Sequence, residues 1–137
     1  MKYFSMFSGI GGFEYGISKA TSNQWLCVGF SEIDKYAIRT YTKHYPTHKN
    51  FGDATKINPT ELPDFDLLCG GFPCQAFSIA GKRRGFDDTR GTLFFGIARI
   101  LKTKKPSYLL LENVKGLLNH DKGKTFSIII QTLAELG

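Results

Sequence analysis

The stretch that decides the fold reads Leu68-Cys69-Gly70-Gly71-Phe72-Pro73-Cys74-Gln75. Together with the apolar residues just before it, this stretch predicts a buried strand over 65–69 that ends at the two glycines. The glycines permit a sharp exit of the chain from the sheet, and the following proline fixes the backbone immediately before Cys74. In open α/β sheets, ligands bind at the carboxyl ends of the strands. A lone cysteine is more often a small buried side chain, but this position favours a chemically active thiol.

The bulk properties limit the classes of protein that this chain can represent. Its 137 residues suit one domain, and a net charge of +6 suits a polyanionic partner. The three cysteines are odd in number and lack metal-ligand spacing, which indicates a reducing compartment and no metal site. No apolar run is long enough to span a membrane. We therefore expect a soluble, cytoplasmic protein.

Apolar runs alternate with segments of helical periodicity along the whole chain. The runs predict five strands, at 3–7, 25–30, 51–53, 65–69 and 108–111. Helices are predicted from Phe13, from Lys35 to the proline at position 46, from Phe94, and from Phe126. This alternation predicts an α/β fold, with a doubly wound, mostly parallel sheet that carries helices on both faces.

A glycine turn, Gly9–Gly12, lies between the first predicted strand and its helix. Such a turn is typical of nucleotide-type cofactor sites, because the backbone can approach the ligand and the helix N-terminus offers free N–H groups. The dinucleotide fingerprint would need a glycine where Glu14 stands, and an acid there tolerates a positively charged ligand better than a pyrophosphate. Glu32 is placed to accept hydrogen bonds from ribose hydroxyls, Ile33 to lie against adenine, and Asp53 to accept from its amine. The pattern favours S-adenosylmethionine over NAD, while a simple tight turn remains the alternative for the glycines alone.

The segment after Cys74 is polar, glycine-rich and basic. Its Ser78, Lys82 and Arg90 are groups that bind phosphate, although a solvated basic loop is the plain alternative. The last predicted strand is followed by Glu112, which we expect at the same sheet edge as Cys74. A buried acid at a strand end has a raised pKa and can deliver a proton. The alternative is a structural acid that caps the next turn.

Four sequence blocks stand out across the chain. They are Phe7-Ser8-Gly9-Ile10-Gly11-Gly12-Phe13, Gly71-Phe72-Pro73-Cys74-Gln75, Arg90-Gly91-Thr92-Leu93-Phe94-Phe95 and Glu112-Asn113-Val114. In content and order they resemble the cytosine-C5 DNA methyltransferases, in the N-terminal part of the catalytic domain only. The resemblance implies the Rossmann-like fold of S-adenosylmethionine-dependent methyltransferases, with a cofactor-binding part at about 1–66 and a catalytic part at about 67–137.

The resemblance also implies a reaction and a set of site residues. A cytosine flipped out of double-stranded DNA would be methylated at C5, with Cys74 as the nucleophile at C6 and Glu112 acting at N3. The implied cofactor-binding residues are Phe7, Gly9, Gly11, Gly12, Phe13, Glu32, Ile33, Asp53, Pro73 and Leu93. The implied substrate-binding residues are Gln75, Ser78, Lys82, Arg90 and Asn113. No metal is implied.

Several blocks of that family's pattern are not in this sequence. Missing are the Gln-x-Arg-x-Arg block, the target-recognition region and the C-terminal blocks. We therefore expect the sheet to be incomplete, with Leu109–Leu111 on an open apolar edge, and activity to depend on a complementary polypeptide. A truncated product or fragment, a non-catalytic remnant that binds cofactor or a partner, and methylation of tRNA are the alternatives.

Overall fold

Four parallel strands form the centre of the fold in the computed structural model, which describes residues 1–73 and 93–137. The strands are β1 (Lys2–Met6), β2 (Leu26–Ser31), β3 (Leu67–Gly71) and β4 (Tyr108–Glu112), in the order β2-β1-β3-β4. The helices are α1 (Gly12–Ala20), α2 (Lys35–His44), α3 (Leu93–Lys104) and α4 (Lys124–Leu136), with 3-10 helices at Pro59–Glu61 and Lys115–Gly123. The predictions for Cys74, Gln75, Ser78, Lys82 and Arg90 lie outside the described residues.

The sheet separates two apolar cores, because side chains alternate between its faces. Phe4 and Leu68 belong to the larger core, which includes buried residues of α3 and α4. Tyr3 and Cys69 belong to the smaller core, which includes Ile17 of α1. The predicted α/β fold with helices on both faces of a parallel sheet is confirmed.

The predicted third strand at 51–53 was wrong, so the described sheet has four strands rather than five. Phe30 and Asn50 form an isolated parallel bridge, flanked by hydrogen bonds from Phe30 N to the Lys49 carbonyl and from Phe51 N to the Phe30 carbonyl. Beyond the bridge, the Asn50 side chain accepts from the Gly52 and Glu32 N–H groups in place of a continued ladder. Gly52 then turns the chain away with a φ of 74°.

The sequence predicted that strand β3 ends at the two glycines, Gly70 and Gly71. In the structure both glycines belong to the strand. Gly70 pairs with Met6 of β1, and Gly71 pairs with Glu112 of β4. A Cβ placed on Gly70 would lie 2.9 Å from the Met6 carbonyl oxygen. The glycine is therefore needed for a close backbone approach inside the sheet.

Strand β4 is an edge strand, and no described strand pairs with its far side. Its apolar side chains remain accessible, with Leu109 at 38% and Leu110 at 49% exposure. This edge is the open apolar edge that the sequence predicted, and it leaves a groove of about 610 Å³ that is lined by residues of α1, β4 and the glycine turn.

The described residues contain two free thiols, Cys27 and Cys69, and both are buried. None of the helices in these ranges has the length and apolar character needed to cross a lipid bilayer. No group of three or more histidine, cysteine or carboxylate side chains in the same ranges is placed to bind a metal ion. The cytoplasmic location stays a prediction.

Candidate cofactor crevice and catalytic edge

Phe7 and Ser8 connect the end of β1 to the glycine turn. Phe7 has a φ of 54°, a left-handed conformation that is strained for a bulky residue and often marks functional sites. The Ser8 hydroxyl lies 3.2 Å from the Ser5 carbonyl oxygen and donates a hydrogen bond to it, which closes the turn back onto the strand. Gly11 precedes α1 with a φ of 96°, and a Cβ there would lie 2.6 Å from the Tyr45 ring. Only glycine fits this position, in conformation and in space.

Glu32 joins the glycine turn to the end of β2. Its Oε2 accepts a hydrogen bond from the Gly9 N–H at 2.8 Å, and its Oε1 accepts from Ile33 N and Asp34 N at 2.8 and 2.9 Å. These bonds fix the carboxylate at the rim of the crevice. A carboxylate offers about four lone-pair directions, and these three bonds leave one of them, on Oε2, for a ligand hydroxyl.

A cavity of about 330 Å³ opens beside this carboxylate at the carboxyl ends of the strands. Its volume lies in the range of small-molecule sites. The cavity brings together six of the ten residues that the sequence analysis assigned to the cofactor. These are Phe7, Glu32, Ile33, Asp53, Pro73 and Leu93.

Asp53 is held by its own turn at the far end of the cavity. Its Oδ1 accepts hydrogen bonds from the Thr55 hydroxyl at 2.7 Å and the Thr55 N–H at 2.9 Å. The hydrogen bond from the Thr55 hydroxyl lowers the pKa of Asp53 most, and the bond from the Thr55 N–H lowers it less. The Lys56 ammonium, whose Nζ lies 3.6 Å from Asp53 Oδ2, lowers the same pKa further. Asp53 is therefore an ionised acceptor with a fixed orientation.

The remaining four predicted cofactor residues lie elsewhere around the turn. Gly12 and Phe13 line the groove between α1 and β4 rather than the cavity. Gly9 contributes the N–H that Glu32 binds, and Gly11 packs against Tyr45. None of these four residues lines the cavity itself.

Glu112 is the last residue of β4. It lies beside the end of β3, three residues before Cys74 in the sequence. It pairs in register with Gly71, and a Cβ on Gly71 would lie 2.8 Å from Glu112 Oε2. The carboxylate is exposed, whereas the sequence analysis expected a buried acid. The reason is that β4 is an edge strand with no described neighbour to cover its end. Pro73, the last residue described before Cys74, lines the 330 Å³ cavity beside this edge.

Asn113 links the ends of β3 and β4. Its Nδ2 donates to the Phe72 carbonyl oxygen at 2.6 Å, and its Oδ1 accepts from the Val114 N–H at 2.9 Å. Both polar ends of the amide are therefore used within the protein. The predicted role in substrate binding stays a prediction, while the observed contacts fix the backbone just before Cys74.

Glu14 lines neither the cavity nor the groove, so the interpretation that this acid favours a positively charged ligand over a pyrophosphate has no basis in its position. The residue is fully buried beneath α1, where its Oε1 accepts a hydrogen bond from the Tyr41 hydroxyl at 3.0 Å. No described group makes a hydrogen bond to its Oε2. Burial raises the pKa of Glu14, and the nearby Ser5 and Tyr41 hydroxyls only partly oppose this rise. No sequence signal indicated that Tyr41 would contact Glu14, or that His48 Nδ1 would lie 2.9 Å from the Tyr41 hydroxyl.

Fold and site together define an α/β protein of the Rossmann-like class, with a cavity at the carboxyl ends of its parallel strands, where such folds bind their ligands. The family model described as C-5 cytosine-specific DNA methylase matches residues 1–137. The chain belongs to this family.

Curated relatives match the chain over nearly all of its length. It is 55% identical over 135 residues to the type II methyltransferase M1.ScrFI of Lactococcus lactis subsp. cremoris. This match covers 98% of this chain and 34% of that protein. It is 52% identical over 139 residues to the orphan methyltransferase M.Rho11sI of Bacillus phage rho11s, which covers 100% of this chain and 27% of that one. The chain thus spans about a third or less of these two relatives.

A solved structure of a Spodoptera frugiperda DNMT2 mutant has a similar fold. The TM-score is 0.77 at 26% sequence identity, over 98% of this chain and 41% of that one.

Proposed function

We propose that this chain is the cofactor-binding and catalytic part of a DNA cytosine-C5 methyltransferase that uses S-adenosylmethionine. The observation that carries the proposal is the cavity that gathers six of the ten predicted cofactor residues, Pro73 among them, and that is also lined by Gly71, the strand partner of Glu112. Family membership and the type II methyltransferases among the relatives support the same activity.

The chemistry of the cavity fits an adenosine-containing cofactor. Glu32 would accept from a ribose hydroxyl through the remaining direction of Oε2, and the ionised Asp53 would accept from the exocyclic amine of adenine. Ile33 is 70% exposed at the cavity wall and would become buried against the ring. When bound, S-adenosylmethionine supplies an electrophilic methyl group on a sulfonium centre.

The chain's own residues would carry the remaining steps. The Cys74 thiolate would add to C6 of the flipped cytosine, with the C5–C6 electron pair moving towards C5 and N3. Glu112 would hold a proton or hydrogen bond at N3, so that charge does not accumulate there. After C5 takes the methyl group, loss of the C5 proton would restore the double bond and expel the Cys74 thiolate. Gln75, Ser78, Lys82 and Arg90 would contact the DNA during these steps.

The open edge of the sheet supports dependence on a complementary polypeptide. The apolar side chains of Leu109 and Leu110 are exposed, and so is the groove beside them. Parallel sheets are normally covered on both faces, so this apolar surface is available to a further segment of protein. The relatives continue well beyond the matched span. We propose that a polypeptide segment equivalent to that C-terminal part covers this edge and completes the enzyme.

A trapping assay tests the proposed reaction. DNA that contains 5-fluorocytosine cannot lose the C5 substituent as a proton, so the cysteine adduct persists after methylation. With S-adenosylmethionine and the C-terminal part of M1.ScrFI as complement, we expect a covalent adduct with the parent chain and none with Cys74→Ala. Cys27→Ala is the matched control, since Cys27 is buried away from the crevice, and it should retain the adduct.

The same assay separates the alternatives. An adduct that forms with tRNA in preference to DNA would identify RNA as the substrate. If no adduct forms, while Cys74→Ala and parent bind cofactor equally, the chain is a non-catalytic binding module and the proposed reaction is wrong.

A further inference from the structure

Arg99 of α3 binds three backbone carbonyl groups of one loop. Its Nη2 donates to the carbonyl oxygens of Ala54 at 3.2 Å, Thr55 at 3.0 Å and Ile57 at 2.9 Å. Carbonyl dipoles that converge on one point repel each other unless a donor or cation lies between them. The positively charged guanidinium therefore suits this position between the negative ends of the three dipoles.

The loop that Arg99 binds includes one end of the cofactor cavity. Asp53 and Ala54 line the cavity, and the Asp53 carboxylate is oriented by Thr55, one of the residues whose carbonyl Arg99 binds. The guanidinium therefore acts on the backbone that presents Asp53, without lining the cavity itself.

Helix α3 supports the same loop at two further positions. Leu93, at the first turn of the helix, lines the cavity with Asp53 and Ala54. A Cβ placed on Gly96 would lie 3.2 Å from the Ala54 carbonyl oxygen, so helix and loop are in close contact there. Leu93, Gly96 and Arg99 follow each other at intervals of three residues, which places them along one side of the helix.

We propose that Arg99 is a positioning residue for the adenine end of the cofactor and determines selectivity for the 6-amino group. It holds the 53–57 loop on α3, so that the Asp53 carboxylate faces the exocyclic amine. Without the guanidinium, the three carbonyls would separate and Asp53 would lose its fixed orientation. This inference rests on the proposed function, because it concerns the same cavity.

The test compares two ligands that differ at the 6-position of the purine, the group that Asp53 is proposed to face, and in the hydrogen that the 6-oxo form carries on N1. S-adenosylhomocysteine carries the 6-amino group, whereas S-inosylhomocysteine carries an oxo group that cannot donate in its place. Each is titrated calorimetrically into the chain together with its complementing polypeptide. We expect the parent to prefer the adenosyl ligand, and Arg99→Met to bind it about tenfold more weakly, the effect of one lost hydrogen bond. Binding of the inosyl ligand should change much less, so the preference falls.

Two further variants make the result specific. Arg99→Lys should recover part of the preference, because an ammonium group can also donate several hydrogen bonds from one nitrogen. Arg39→Met is the matched control, since Arg39 is exposed on α2 and does not line the cavity, and it should keep the parent's preference. Thermal unfolding of each variant is measured in parallel.

Each remaining outcome is informative. If Arg99→Met keeps the parent's preference, the inference is overturned. If it weakens both ligands equally and Arg99→Lys behaves no better, Arg99 is only structural and the inference is again overturned. If the parent binds neither ligand, the proposed function is overturned, and the inference with it.

Discussion

The two described thiols have environments that suppress their reactivity. Burial raises the pKa of Cys27 to about 11 and that of Cys69 to about 12. The thiolate is the reactive form, so neither residue should act as a nucleophile in the folded protein. If Cys74 is the catalytic thiol, it should be the one that reacts readily.

Thiol titration with a disulfide reagent at pH 8 tests this assignment. We expect one fast-reacting thiol in the native protein and three in denaturant, and we expect Cys74→Ala to abolish the fast reaction. A fast reaction that persists in Cys74→Ala would show that a buried thiol is more accessible than its surroundings indicate.

Glu14 should make stability depend on pH, because burial raises its pKa in the folded state. The sign follows from linkage: the folded state holds the proton more tightly, so the contribution is fully present below the unfolded pKa and is lost as pH rises through the folded pKa. Glu14→Gln keeps an acceptor for the Tyr41 hydroxyl and removes the charge. Urea unfolding should show the variant more stable than the parent at pH 8, by about 1–3 kcal/mol. The difference should shrink towards pH 4.

Glu135→Gln is the control for this pH series, because Glu135 is exposed near the end of α4. Its stability should follow the parent's at every pH. Parallel pH profiles for Glu14→Gln and the parent would show that the buried carboxyl does not titrate in this range.

The sequence predicted which motif residues lie together, whereas it did not predict the residues that hold them in place. Glu32 and Asp53 were predicted because each follows an apolar run, and both line the same cavity. The contacts of Arg99 join residues 42–45 positions apart and leave no periodic signal in the sequence. Glu14 was interpreted from its place in the glycine fingerprint, which carries no information on burial, whereas the buried positions in α1 are Glu14 and Ile17.

At the scale of elements, the strands were predicted in order but not always in extent. The predicted strand stopped at Cys69, before the two glycines, because glycine weakens strands and often marks a bulge or bend. Its true end lies two residues later, since the close approach of β1 requires a residue without a side chain at Gly70. A contact between neighbouring strands decided the boundary, and a single-strand pattern carries no information about it.

Gly70→Ala should therefore destabilise the sheet. The added Cβ would meet the Met6 carbonyl oxygen at 2.9 Å, and a backbone atom inside a sheet cannot move aside easily. We expect a loss of about 1–3 kcal/mol, the usual effect of overpacking, measured as a lower urea midpoint. Gly16→Ala in α1 is the control, because a Cβ there meets nothing within 4 Å and alanine favours helix. Equal midpoints for Gly70→Ala and the parent would contradict the steric explanation.

At the scale of the whole molecule, the fold class and the open edge were both predicted from the sequence. Alternating apolar and helical segments were sufficient for the α/β class, and the missing family blocks pointed to the edge at β4. The number of strands was not predictable, because the Asn50 side chain takes over hydrogen bonds that a longer ladder would have used.

The open edge gives a last prediction, about the complementary polypeptide. Leu110 is half-exposed on β4 and lines the groove beside α1. Leu110→Lys should change the stability of the isolated chain by no more than about 0.5 kcal/mol, as for other surface substitutions. It should nevertheless weaken binding of the complement by at least about tenfold, because a charge would be buried in an apolar interface. Calorimetric titration with the C-terminal part of M1.ScrFI measures this effect.

Tyr36→Lys is the matched control for the edge, since Tyr36 is 67% exposed on α2 and lines neither the groove nor the cavity. It should bind the complement as tightly as the parent does. If Leu110→Lys also binds with the parent's affinity, the complement does not cover β4. The apolar edge would then need another explanation, while the cofactor cavity and its proposed chemistry would stand unchanged.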